Sequence, residues 1–100
     1  MLQEVGVSSE RSRGAVLTPH AATEAQRRGI SIELVQQVLA AAEQEFEIQP
    51  GRVVLQARIS MGDPAKIYLV RVFVDVDRQP PEVVTVYRTS KVEKYWRSES

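Results

Sequence analysis

The amino-acid sequence predicts an α+β domain made of two N-terminal helices, a four-stranded antiparallel meander sheet and a short C-terminal helix. Two observations carry this. Up to Glu43 the apolar residues recur at helical spacing, and beyond it they alternate with period two. The strand-like runs are separated by Met61-Gly62-Asp63-Pro64-Ala65 and Asp77-Arg78-Gln79-Pro80-Pro81, both loaded with turn formers, and connections this short join antiparallel neighbours.

In chain order, Met1–Gly14 lacks periodic apolar positions and reads as a loosely ordered arm ahead of a single domain over 15–100. Thr18 before Pro19 offers an N-cap with proline at the first helical position, and Gly29 stops a first helix over Pro19–Arg28. Ser31 caps a second helix, with Ile30 able to staple against Val35. Its stripe of Leu34, Val35, Val38, Leu39 and Ala42 runs to about Glu43. Phe46 and Ile48 alternate with Glu45 and Glu47 before the Pro50-Gly51 turn, and Val53–Ser60, Lys66–Val76 and Glu82–Thr89 complete the meander. Ser90 followed by Glu93 has the form of a capping box, which starts a terminal helix at Lys91. Val92, Tyr95 and Trp96 then share one apolar stripe.

Composition narrows the class of function. Thirteen basic and thirteen acidic residues cancel, so attraction to nucleic acid or an anionic membrane must come from local clustering. Without cysteine there is no disulfide framework, thiolate nucleophile or cysteine zinc site, and one histidine leaves little for another metal site or cofactor. No 18-residue apolar run is present and Met1–Gly14 lacks the apolar core of a signal peptide, which favours the cytoplasm over the membrane.

Strand periodicity then locates the side chains. Val70, Val72, Val74 and Val76 point one way and should receive the helices, whereas Leu69, Arg71, Phe73 and Asp75 point the other. The same alternation places Gln56 and Arg58, Arg71, and Thr85 with Tyr87 on that second face, beside the basic tail. This face is either a solvated surface on which Arg71 meets a carboxylate, or an anion groove using the planar fork of arginine. His20, in the first turn of the first helix, is the sole imidazole and a candidate general base, or else a surface histidine with a structural hydrogen bond. Tyr87, Tyr95 and Trp96 have the aromatic character of a base-stacking platform, and equally that of residues closing a small core. Lys91 and Lys94 stand near Arg88 and Arg97 in a basic tail tempered by Glu93.

Several of these segments resemble the bacterial domain-of-unknown-function family 4258. They are Leu17-Thr18-Pro19-His20-Ala21, the Arg28-Gly29-Ile30-Ser31 junction, Arg71-Val72, and Thr85-Val86-Tyr87-Arg88-Thr89-Ser90-Lys91 through Tyr95-Trp96. The resemblance spans roughly Leu17 to Arg97 and is most specific in Tyr87–Lys91. That family is similar in layout to the RelE and BrnT ribonuclease toxins, in which helices precede an antiparallel sheet whose open face cleaves RNA. The resemblance implies a polar site drawn from His20, Arg28, Arg71, Tyr87, Arg88 and Lys91. It departs at Glu24, four residues after His20, where the pattern often carries a basic residue.

Two classes of function follow. One is a metal-independent ribonuclease, with Arg71 and Arg88 stabilising charge on the scissile phosphate and His20 or Tyr87 moving a proton. Arg28, Arg58, Lys91 and Lys94 would hold the RNA. The other is a non-catalytic interaction module that pairs with a protein such as an antitoxin, or with a second copy of itself, through a sheet edge. Convergence of His20, Arg71 and Arg88 on one point is what separates them.

Overall fold

The structure is a computed structural model that describes residues 10–98. Its centre is a five-stranded mixed sheet with strand order β1-β5-β4-β3-β2, built from β1 (Val16–Leu17), β2 (Gln44–Gln49), β3 (Arg52–Met61), β4 (Lys66–Asp75) and β5 (Glu82–Thr89). The last four form the expected antiparallel meander. The fifth, β1, pairs parallel with β5 and corrects the four-stranded expectation: Val16 donates its N–H to Pro81 and Thr18 to Val83. A two-residue strand is too short for any periodicity, so its apolar run reads as a lead-in to a helix.

Helix α1 (Pro19–Arg27) begins where Thr18 Oγ1 accepts the Ala21 N–H, and it stops before Gly29, whose φ of +69° is open to glycine at little cost. Helix α2 (Ile32–Ala41) starts on Ser31, whose hydroxyl accepts from Leu34. It ends two residues before Glu43, because Glu43 already donates its N–H to Gln56 of β3 and its carboxylate is held by Arg58.

Both helices lie on one face of the sheet. Ala21, Ala25, Ile30, Val35, Val38 and Ala42 pack there against Val53, Leu55 and Ala57 of β3, Val70, Val72 and Val74 of β4, and Val83 and Val86 of β5. Leu34, Leu39 and Val76 flank this core half-buried. Val83 and Val86 are three residues apart yet both face the helices, because the register shift opposite Phe73 and Val74 leaves Val84 out of the ladder.

The arm expected over Met1–Gly14 lies largely outside the described residues. Its described end carries a single 3₁₀ turn at Glu10–Ser12, with Ser12 buried. The terminal helix α3 is one turn, Val92–Tyr95, and the expected capping box is not formed. The turn starts one residue later than expected, with Lys91 rather than Ser90 at the N-cap and without a side-chain bond, while Thr89 Oγ1 accepts the Lys91 N–H just ahead of it.

Candidate functional site

Cross-strand register aligns one residue from each of four strands on the face opposite the helices. Gln44 of β2 sits beside Gln56 of β3, Gln56 beside Arg71 of β4, and Arg71 beside Tyr87 of β5. Their side chains form a continuous hydrogen-bonded row. Gln56 Nε2 donates to Gln44 Oε1 at 2.7 Å, Arg71 Nε donates to Gln56 Oε1 at 2.7 Å, and Arg71 Nη1 donates to the Tyr87 hydroxyl at 2.7 Å. The orientation of the Gln56 amide follows from this, since only its oxygen can meet a guanidinium.

Arg71 is 7% exposed and Gln56 is fully buried. No carboxylate of the described residues lies within ion-pair distance of Arg71, so its positive charge is not neutralised. The guanidinium is instead surrounded by ring faces, with its carbon 4.5 Å from the centroid of Tyr95, 5.2 Å from Phe73 and 5.7 Å from Tyr87. Ring faces attract a cation without accepting its N–H groups. Three of the five N–H groups therefore have no acceptor among the described residues.

The two arginines of β3 on this face are each neutralised by a carboxylate. Arg52 makes a two-point contact with Asp75, at 2.6 and 3.1 Å, and the hydrogen-bonded guanidinium holds the Asp75 carboxyl below its ordinary range. Arg58 grips Glu43 in the same bidentate way, lowering the Glu43 pKa, and stacks its flat side 4.1 Å from the centroid of Trp96. Beside Tyr87 a hollow of ≈ 240 Å³ opens between Ile48, Gln49, Arg52, Phe73 and Thr85. The apolar residues of β2 line this face too: Phe46 is paired with Val54 and lies 3.6 Å beneath the Arg97 guanidinium.

The structure divides the sequence-derived candidates between the two faces. Arg58, Arg71 and Tyr87 share the open face, and Lys94, on α3, places its ammonium 5.4 Å from the Tyr95 ring. Lys91 is exposed at the start of that turn. His20, Arg28 and Arg88 are on the helical side. The His20 side chain is 68% exposed and 3.4 Å from Glu24, while Arg28 bonds both Glu24 and the carbonyl of Val86. Arg88, one residue beyond Tyr87, points the opposite way by strand alternation and rests 4.7 Å over Tyr68, close to Gly29. His20 and Arg88 therefore do not converge with Arg71 on one phosphate. Glu24 holds both His20 and Arg28. Gln44 and the backbone of Tyr95 escaped sequence reasoning, since only the β2–β3 register brings the first to Gln56 and only the path of the C-terminal segment brings the second.

An α+β domain with helices on one sheet face and a charged polar row on the other is the architecture that these contacts define. The chain belongs to the family described as Domain of unknown function (DUF4258), whose model matches residues 17–88, from the end of β1 through nearly all of β5. The match stops short of the tail through Arg97 over which the sequence resemblance runs. No curated protein and no solved structure matches the chain. Among the described residues no helix is long and apolar enough to cross a membrane, and no three His, Asp or Glu side chains gather in a way that could hold a metal ion.

Proposed function

We propose that this domain binds single-stranded RNA across its open sheet face, with Arg71 as the phosphate ligand. The observation that carries this is the buried Arg71 guanidinium, oriented by the neutral groups of Gln56 and Tyr87 and facing no carboxylate. A fixed, desolvated arginine fork suits phosphate oxygens, and its charge is screened less than that of a surface residue. Phe46, Phe73 and Tyr87 supply ring faces on the same surface, and sequence-tolerant binding of single strands uses rings interleaved with cations. The resemblance to the RelE and BrnT ribonuclease toxins favours RNA as the polyanion.

Binding is better supported than cleavage. With His20 on the helical side, Tyr87 is the group in the row that is able to move a proton, and its hydroxyl sits against the guanidinium that would stabilise charge on phosphorus. The interaction-module reading draws on β2, which has no strand on its outer edge among the described residues.

A labelled oligouridylate titrated at low salt with chelator present tests the proposal. Wild type should bind, and Arg71→Met should weaken binding at least tenfold and flatten its salt dependence by about one phosphate contact. Gel analysis of the same mixtures reports cleavage. Equal affinity of wild type and Arg71→Met would defeat the proposal, and concentration-dependent dimerisation without RNA binding would favour the interaction module.

A further inference from the structure

The row Gln44–Gln56–Arg71–Tyr87 continues into the C-terminal segment Val92–Arg97, which passes over it. Tyr95 lays its ring on Arg71, and its carbonyl accepts from Gln56 Nε2 at 3.2 Å. The Gln44 amide clasps Arg97 at two points, with Nε2 donating to the Arg97 carbonyl at 2.6 Å and Oε1 accepting the Arg97 N–H at 3.1 Å. Arg58 under Trp96, Phe46 under Arg97 and the Tyr95 ring edge-on to Tyr87 add further contacts.

We infer that Val92–Arg97 is a displaceable strap that closes the Arg71 site, so that RNA phosphate and the docked strap compete for one place. This rests on the RNA-binding reading and adds its regulation. Three features argue for displacement over permanent packing. None of the α3 residues is buried, and the turn is a single one without a side-chain cap. The strap is held through two glutamine amides, ring-cation contacts and one edge-on ring contact of Tyr95 with Tyr87, with no buried apolar residue of its own, which places it among the easily opened parts of a fold. The charge beneath the Tyr95 ring has no carboxylate within ion-pair distance among the described residues, unlike Arg52 and Arg58 on the same face. A ligand able to neutralise it must enter where that ring lies.

Closure taxes affinity by the fraction of molecules that are open. Gln44→Ala removes both bonds to Arg97 and one acceptor of Gln56 Nε2, which keeps the Tyr95 carbonyl, while both bonds of Arg71, to Gln56 Oε1 and the Tyr87 hydroxyl, stay in place. It should raise affinity for a short oligouridylate roughly tenfold and speed tryptic cleavage after Lys94 and Arg97 by a similar factor, since proteolysis follows the opened population. Trp96→Ala, which leaves both glutamines in place, should act in the same direction. In wild type the oligouridylate should itself accelerate cleavage of the strap. Faster cleavage in the variants with unchanged affinity, or protection of the strap by the ligand, would overturn the strap and leave RNA binding standing. Absence of binding by wild type and both variants would remove the RNA reading and the strap with it.

Discussion

The two faces of the β3–β4–β5 sheet are made from alternate residues of the same strands, yet they answer different physical demands. Toward the helices, Val53, Leu55, Val70, Val72, Val74, Val83 and Val86 form a dry face whose order follows from removing apolar surface from water. On the other side Gln56 is as deeply buried and Arg71 nearly so, and their order comes from directed hydrogen bonds around a charge. A methyl group in the first face is replaceable by another of similar volume. An amide in the second is not, because its two ends meet groups of opposite character. The contrast extends along the open face itself, where Arg52 at the strand end meets Asp75 and Arg71 in the middle meets only neutral partners.

This difference is open to direct test. The largest effect on stability is expected from Leu55→Ala on the helical face, which should cost about 2–5 kcal/mol in denaturant unfolding while the folded fraction keeps its affinity for RNA. Loss of affinity in that variant would mean that the two faces are not separable. Gln56→Leu keeps the volume but leaves the Arg71 Nε–H without its acceptor and the Tyr95 carbonyl without its donor, so about 1–3 kcal/mol is expected. A neutral outcome there would show that shape alone orders the polar row. The smallest effect concerns Arg52 and Asp75. The folded-state pKa of Asp75 lies below its unfolded value, so the pair stabilises the fold above the unfolded carboxylate range, near pH 4, and that contribution disappears as pH falls through the folded value. Thermal midpoints followed into acid should therefore drop less steeply in Asp75→Asn than in wild type. Glu43, more exposed, shifts in the same direction with a weaker effect.

Much of this was legible in the sequence. Thr18-Pro19 and Ser31 set the starts of α1 and α2, and alternation in Lys66–Asp75 assigned the valines to one face and Arg71 to the other. These are local properties, fixed by backbone geometry within a few residues. The capping box at Ser90 and Glu93 was also a local signal, and it does not form, because the last turn starts one residue later with Lys91 at its N-cap.

What the tertiary structure alone decided depends on register and on the path of the tail. That Gln44 stands beside Gln56, that Tyr95 covers Arg71, and that β1 pairs with β5 are relations between residues far apart in the chain. A shift of one residue between β3 and β4 would have put Arg71 and Gln56 on opposite sides of the sheet. The separation of His20 and Arg88 from Arg71 has the same origin. The sequence determined which residues carry chemistry, because charge and hydrogen-bonding capacity belong to the side chain. The fold determined which of them meet, because only the pleat and pairing of the sheet decide the side on which each one stands.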